Sequence, residues 1–440
     1  MDILIITTYY PPDTAVAAVR PYMFAKYLTK RGHKVTVLRS GEFYNSASDF
    51  FDMSIPVRVI SYLGFDSPAE QYARGELKEV PRVVPGESRI AFLPEVVRKP
   101  VAAVYNACMR PVRFKKQQAA IAAKVEKQKA VLDALRNEHF DVVFSTFGQQ
   151  ENIAAGQYAA KLFGCKLIQD FRDPLARRPF YTRSQYRYLK RIQDNAIKNA
   201  DGMTTVSEGF RRELMDKLDT STPNITLYNG YEPATQENGT NYQELGLFTF
   251  CYTGILYEFS DFTPLLLALK RLAEDGRVDL SKVKLNYAGR DFEQLMEIAQ
   301  KLDMVDILDN HGYVSRAEAA RLQTSADLFL VLSWNRHDSQ GVLPAKIYEG
   351  IRAKKPILSL VSGDLPGSEL SILNDRFHYG FCYEEARDQE CFEGLCEFLA
   401  KAYDEKMNCG KVQYQIAPAF EEHFRYDNLA EQLERFMEQL

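Results

Sequence analysis

The chain has 440 residues, enough for two domains that each bury a core of their own. Its 55 lysines and arginines against 59 aspartates and glutamates leave a formal net charge of −4, so composition gives no signal for nucleic acid. Seven scattered cysteines without a CxxC, and only six histidines, argue against a disulfide framework or a zinc site and fit a reducing cytoplasm. The opening MDILIITTYYPP has an acidic second residue and an early Pro-Pro break, unlike a secretory leader, and no apolar run approaches the roughly 20 residues of a membrane span. A soluble or peripheral protein is expected.

Asp2–Thr8 is a short apolar run, and a helical pattern from about Ala15 to Arg31 follows it. Gly32-His33 stops that helix, and Lys34–Leu38 reads as the next strand, a βαβ opening of a parallel sheet. Further strands are expected at 57–62, 141–145, 166–169 and 202–206, with helices at about 119–137, 151–163, 184–199 and 207–218. This is a doubly wound α/β domain, ending near residue 235. Residues 219–245 are rich in turn formers and read as a linker. The alternation then restarts, with strands at 248–252, 282–287, 305–308 and 328–332 and helices at 262–274, 291–302 and 316–325. A second domain over 236–418 is expected, and a last helix, 419–440, that crosses back to the first.

Between Val96 and Val125 there is no acidic residue, while Arg98, Lys99, Arg110, Arg113, Lys115, Lys116 and Lys124 are basic and interleaved with apolar side chains. Such a stretch suits an anionic membrane surface, or else an ordinary basic loop packed on the domain. Pro100 and Pro111 argue against one continuous helix there.

The stretch that carries the chemistry is Gly341–Lys355, GVLPAKIYEGIRAKK, which runs into an apolar strand. Pro344 is expected at the helix start, with the backbone of Gly341, Val342 and Leu343 leading into it. Lys346 adds a positive charge beside free amides, a seat for a diphosphate. Glu349, three residues on and on the same face, can accept hydrogen bonds from the vicinal hydroxyls of a ribose. Read blandly, the two are a solvent-exposed i, i+3 pair worth a few tenths of a kcal/mol.

Taken together, several landmarks resemble a known family: Tyr10-Pro11-Pro12, Arg20 and Gly32–Leu38; Ala200-Asp201-Gly202, Thr205–Glu208 and Asn229-Gly230; Tyr252-Thr253-Gly254, Tyr287-Ala288-Gly289, His311–Ser315 and Ala326–Phe329. In order and spacing the chain is similar to the GT-B glycosyltransferases, in particular the retaining family 4, over nearly its whole length. The resemblance implies two Rossmann-like domains facing a central cleft, and transfer from a nucleotide sugar with retention and without a metal-binding DxD or other cofactor. It implies that Glu349 holds the ribose, that the Gly254 loop admits the diphosphate or donor sugar, and that Tyr313-Val314 lies beside the base. Arg290 is a second candidate for the phosphate, and Ser339 and Gln340 for selectivity among donor sugars. Two departures stand out. The family's first glutamate would fall at Gly341, and the loop after Gly254 reads ILYEFSD, without the usual Arg and Lys, which gives Lys346 more to do.

On the acceptor side, Gln169–Pro174 follows an apolar strand, and strand ends of open α/β sheets point into the ligand crevice. Asp170 and Asp173 either brace a loop with Arg172 between them or orient the acceptor and take its proton; the DFRDP run resembles a subgroup in which this loop faces the donor sugar. Ser145 and Gln149 are expected to line the same cleft, and Arg20 to contact a phosphate or to be merely exposed. The resulting expectation is a cytoplasmic enzyme, peripheral on the inner face of a membrane, that adds sugar to a glycan or lipid-linked acceptor for a cell-surface polysaccharide. A catalytically silent GT-B subunit and a GT-B sugar-nucleotide epimerase are the alternatives. A dinucleotide oxidoreductase fits poorly, because no GxGxxG follows the first strand.

Overall fold

A computed structural model describes residues 1–13, 15–41, 51–52, 54–63, 95–147, 149–177, 181–233, 246–413 and 416–440, with the side chains of 95–108 outside it. Short apolar runs bounded by turn residues become strands, the inner ones buried on both faces and the edge strands only partly. In the first half these are β1 (Asp2–Ile6), β2 (Lys34–Arg39), β3 (Arg58–Ser61), β4 (Val142–Phe147), β5 (Lys166–Phe171), β6 (Gly202–Thr205) and β7 (Asn224–Thr226). They form one sheet in the order β3-β2-β1-β4-β5-β6-β7, and every pairing is parallel. The helices between them are α1 (Val16–Lys30), α2 (Glu95–Ala134), α3 (Glu151–Phe163), α4 (Arg183–Lys198) and α5 (Glu208–Met215).

The second half repeats the scheme with β8 (Phe248–Ile255), β9 (Val283–Arg290), β10 (Leu308–Gly312), β11 (Leu328–Trp334), β12 (Ile357–Ser362) and β13 (Gly380–Glu384). Its order is β10-β9-β8-β11-β12-β13, again all parallel. Around it lie α6 (Thr263–Glu274), α7 (Phe292–Leu302), α8 (Arg316–Ser325), α9 (Lys346–Arg352), α10 (Glu369–Phe377) and α11 (Asp388–Cys409). The strand order reverses between β8 and β11, and in open α/β sheets ligands bind outside the carboxyl ends of the strands at such a reversal. Glu349 and Gly254 lie on the elements that meet there.

Four expectations need correcting. α2 runs unbroken through Pro100 and Pro111. Each proline removes a single N–H···O=C bond, and the remaining ladder of a 40-residue helix bridges the gap. Residues 305–307 form a 3₁₀ turn, and the strand starts at Leu308, because the left-handed Asp303 ends α7 in a tight reversal. The turn-rich 219–245 is not wholly linker: Asn224–Thr226 is the last strand of the first sheet, and residues 234–245 lie outside the described residues. α9 begins at Lys346, two residues beyond Pro344, so the lysine is the first residue of a seven-residue helix.

The C-terminal α12 (Pro418–His423) and α13 (Tyr426–Glu438) pack on the first half of the chain. Tyr426 meets Phe24 edge-on at 5.9 Å, and Glu434 accepts from Arg31 and, at 2.7 Å, from His33. A single buried cluster joins Ile5, Phe24 and Phe144 of the first sheet layer to Ile347, Tyr348 and Phe377 of the second, through Phe420, Phe424 and Leu433. The two halves therefore share core and are not merely tethered.

Candidate functional site

At the end of β8 the chain turns at Gly254, whose φ of +147° belongs to glycine. A Cβ there would stand 2.8 Å from Cε of Lys346, so the missing side chain is what lets the lysine lie over the strand end. Lys346 Nζ donates to Glu349 Oε1 at 3.0 Å and Oε2 at 3.1 Å. Glu349 Oε2 also accepts from Gln323 Nε2 at 2.7 Å and Thr253 Oγ1 at 3.3 Å, and Gln323 reaches Thr253 as well, at 2.8 Å. The lysine and glutamate side chains are 26% and 29% exposed, so the i, i+3 pair is half-buried and not a fully solvent-facing one. One carboxylate oxygen is held from below by α8 and β8, while the other, among the described residues, accepts from the ammonium alone. An entering diphosphate can take over the ammonium and leave that oxygen to a hydroxyl.

The other donor-side candidates are spread along the same rim. Gly341 has φ +71° and lies back to back with Gly209 at the start of α5, where a Cβ at 341 would come within 2.6 Å of the Gly209 carbonyl carbon and the Phe210 nitrogen. Ser207 Oγ donates to the Gly341 carbonyl at 2.6 Å, and Ser333 Oγ reaches the Val342 carbonyl at 3.4 Å. Leu343 is buried in the shared core, which leaves only its backbone to face a ligand. Ser339 Oγ accepts from Trp334 Nε1 at 2.9 Å, and Gln340 is exposed. Tyr313 is 88% exposed, while Val314 packs on Cys251, Ala288, Leu322 and Ala326. Arg290 is exposed at the end of β9, and its carbonyl accepts from Tyr287.

The acceptor-side candidates divide sharply. Arg20 is neither exposed nor set to meet a phosphate: it is 1% exposed, and it grips Asp170 with Nε at 3.0 Å and Nη2 at 2.7 Å while Nη1 donates to the Tyr228 carbonyl at 2.8 Å. Asp170 is equally sealed and also accepts from Thr146 Oγ1 and Thr204 Oγ1, each at 2.7 Å. Burial alone would raise its pKa; the Arg20 charge and these donors overcome that and hold the carboxyl below its usual range. A carboxylate so saturated braces the first sheet and has no lone pair left for an acceptor hydroxyl. Ser145 is also buried and donates to the Asn152 carbonyl at 2.7 Å, away from any cleft. Asp173, by contrast, is 60% exposed and, among the described residues, pairs with Arg177 at 2.9 Å. Half-buried Arg172 donates to the Ala17 carbonyl at 2.9 Å, and Gln149 reaches Tyr9 Oη at 3.3 Å.

Three residues of this rim were missed in the sequence. Thr253 lay inside a quoted landmark but carried no role, and Gln323 is a buried amide in an otherwise polar helix, a signal visible only with burial in hand. Glu369, 3% exposed at the start of α10, crosses between the halves: it accepts from the Glu208 and Gly209 amides, each at 2.9 Å, and from Tyr228 Oη at 2.9 Å. Among the described residues no group of His, Cys, Asp or Glu converges as a metal site, and no helix is long and apolar enough to cross a membrane.

No protein-family model matches the chain, and no curated protein sequence does. Solved structures do match over full length. Sucrose-phosphate synthase from Thermosynechococcus elongatus superposes with a TM-score of 0.58 at 10% identity, covering 100% of this chain and 99% of that one. Anabaena HepE, solved with UDP and glucose, gives 0.57 at 12%, covering all of both chains. WaaG, a glycosyltransferase of lipopolysaccharide biosynthesis, gives 0.52 at 14%, covering 99% of each. The chain has the GT-B fold. In GT-B terms, the Lys346–Glu349 pair lies on the second of two Rossmann-like domains, at the carboxyl end of its central strand.

Proposed function

We propose that the protein is a retaining glycosyltransferase that moves a sugar from a nucleotide-diphosphate sugar to a glycan or lipid-linked acceptor in the synthesis of a cell-surface polysaccharide, at the inner face of a membrane and without a metal. The observation that carries this reading is the half-buried Lys346–Glu349 pair, oriented by Thr253 and Gln323 under the glycine turn of β8. HepE, of like fold, was solved with UDP-glucose. In the proposed reaction Lys346 shifts from Glu349 to the diphosphate and neutralises the charge that grows on it as the sugar leaves. Glu349, still held by Gln323, accepts from the ribose. A front-side displacement asks little more of side chains, and most of its acceleration is electrostatic. Asp173 is the carboxylate on the β5 loop that remains open to an acceptor.

The test is nucleoside diphosphate release from a panel of UDP-, GDP- and TDP-sugars, with and without lipid acceptor and with a chelator present. Acceptor-dependent, chelator-resistant release is expected. Glu349→Ala is expected to lower kcat/KM about 100-fold or more while the variant still folds, its melting temperature lowered by the donors left unpaired, since a ribose carboxylate contributes roughly 3 kcal/mol as a charged hydrogen-bond acceptor. Equal activity in that variant removes the central assignment. The missing first glutamate at Gly341 favours a second reading, a silent subunit, and nucleotide binding with no release across the panel would establish it.

A further inference from the structure

We propose that the membrane-facing surface is built from two helices distant in sequence, the basic part of α2 and an arginine stripe on α4, and that its partner is an anionic lipid bilayer. The inference rests on the peripheral-membrane reading above and extends it to residues which that reading does not contain. Residues 96–125 and 174–193 together hold thirteen of the chain's 55 basic residues and none of its 59 acidic ones, so a molecule of net charge −4 concentrates positive charge in two segments.

The fold brings those segments together. Phe114 of α2 meets Tyr181 at 6.3 Å and Tyr188 of α4 at 5.9 Å, both edge to face, and packs with Leu175 and Leu189 beneath. Around this joint Arg113, Lys115 and Lys116 are exposed on α2. On α4 the exposed residues Arg183, Arg187 and Arg191 recur every fourth position, which aligns them on one face, while Leu189, Gln193 and Ile197 bury the opposite one. Like charges at i, i+4 weaken a helix by a few tenths of a kcal/mol per pair. A bilayer of anionic lipid turns that repulsion into attraction, at about 1 kcal/mol per basic side chain near the surface.

Two features favour a bilayer over a nucleic acid. Val112, 57% exposed, and Tyr188, 44% exposed, stand among the charges, and an apolar side chain beside an amphipathic aromatic ring is what an interface accepts. No exposed aromatic ladder for stacking bases accompanies them among the described residues. The surface also has a functional position. In the chain, β5, whose carboxyl end is where open α/β sheets bind ligands, is the strand that directly precedes α4. A bilayer seated on the stripe would hold a lipid-borne acceptor within reach of that crevice.

The test is co-sedimentation of the full chain with vesicles of phosphatidylcholine, with and without one third phosphatidylglycerol, at low and high salt. Wild type is expected to bind only the anionic vesicles, less at high salt. Arg183→Gln/Arg187→Gln/Arg191→Gln and Arg113→Gln/Lys115→Gln/Lys116→Gln are each expected to weaken binding about 100-fold, from three charges at about 1 kcal/mol apiece, with melting curves unchanged. Tyr188→Trp is expected to shift its emission to shorter wavelength when anionic vesicles are added. If the α2 triple variant loses binding and the α4 triple variant keeps it, this inference fails while membrane binding through 96–125 stands. If wild type binds neither vesicle, the peripheral reading itself fails. Tighter binding to single-stranded RNA than to anionic vesicles, lost in the α4 variant, would overturn the bilayer as partner.

Discussion

Arg20 and Asp170 show how far a residue's role depends on what covers it. In the sequence the aspartate sits at a strand end beside Arg172 and Asp173, where a catalytic carboxylate belongs; in the fold it is the buried anchor of α1, β4, β5 and β6. Asp170→Asn leaves the Arg20 guanidinium buried without its counter-charge, a loss of roughly 3–5 kcal/mol. We expect urea denaturation of that variant to show it, and stability and turnover to fall together. A variant of native stability that had lost turnover would return Asp170 to catalysis. The depressed pKa fixes the sign of the pH effect: its contribution is present above the unfolded carboxylate value and is lost as pH falls through the lower folded one. That Lys346 and Glu349 pair on one helical face was legible, because their spacing fixes it whatever surrounds the helix. The burial of Asp170, Arg20 and Ser145 was not, since strand ends supply crevice residues and core residues in alternation and one chain does not say which is which.

At the scale of elements, hydrophobic period and turn residues located most strands and helices, and they failed where packing overrides local preference. α2 crosses two prolines. The short β7 has only three residues to announce itself and depends on its neighbour β6. α12 is a six-residue helix whose place is set by rings, not by its own pattern: His423 lies 5.5 Å from Phe377, 5.4 Å from Tyr228 and 4.8 Å from Phe424. Burial, and then the charge of Arg376, lowers the His423 pKa below its ordinary 6.5. The unfolded imidazole therefore takes up a proton that the folded one refuses, and stability declines as pH falls from about 6.5 toward the folded value. Melting temperatures between pH 5 and 8 are expected to drop toward acid more steeply in wild type than in His423→Phe; parallel curves would refute the assignment.

For the whole molecule, the contact between halves turns on Gly209 and Gly341, Ser207 and Glu369. Gly341→Glu, which supplies the glutamate that the sequence resemblance leads one to expect there, places a side chain on a left-handed residue with 2.6 Å to the facing backbone. We expect that variant to push the halves apart, read as a larger radius of gyration by solution scattering, and to gain no activity. An unchanged radius with higher turnover would show that the position tolerates the glutamate after all. The same contact constrains how such a chain can be recombined. A junction in 234–245 cuts the polypeptide between its two sheets but not their dependence on each other, because the Glu369 carboxylate belongs to the second and the amides it accepts from belong to the first. A hybrid chain of this fold made from two parents must therefore inherit Ser207–Phe210 together with Gly341 and Glu369, and with them the α13 that covers α1, or it will join two well-made halves that do not recognise one another.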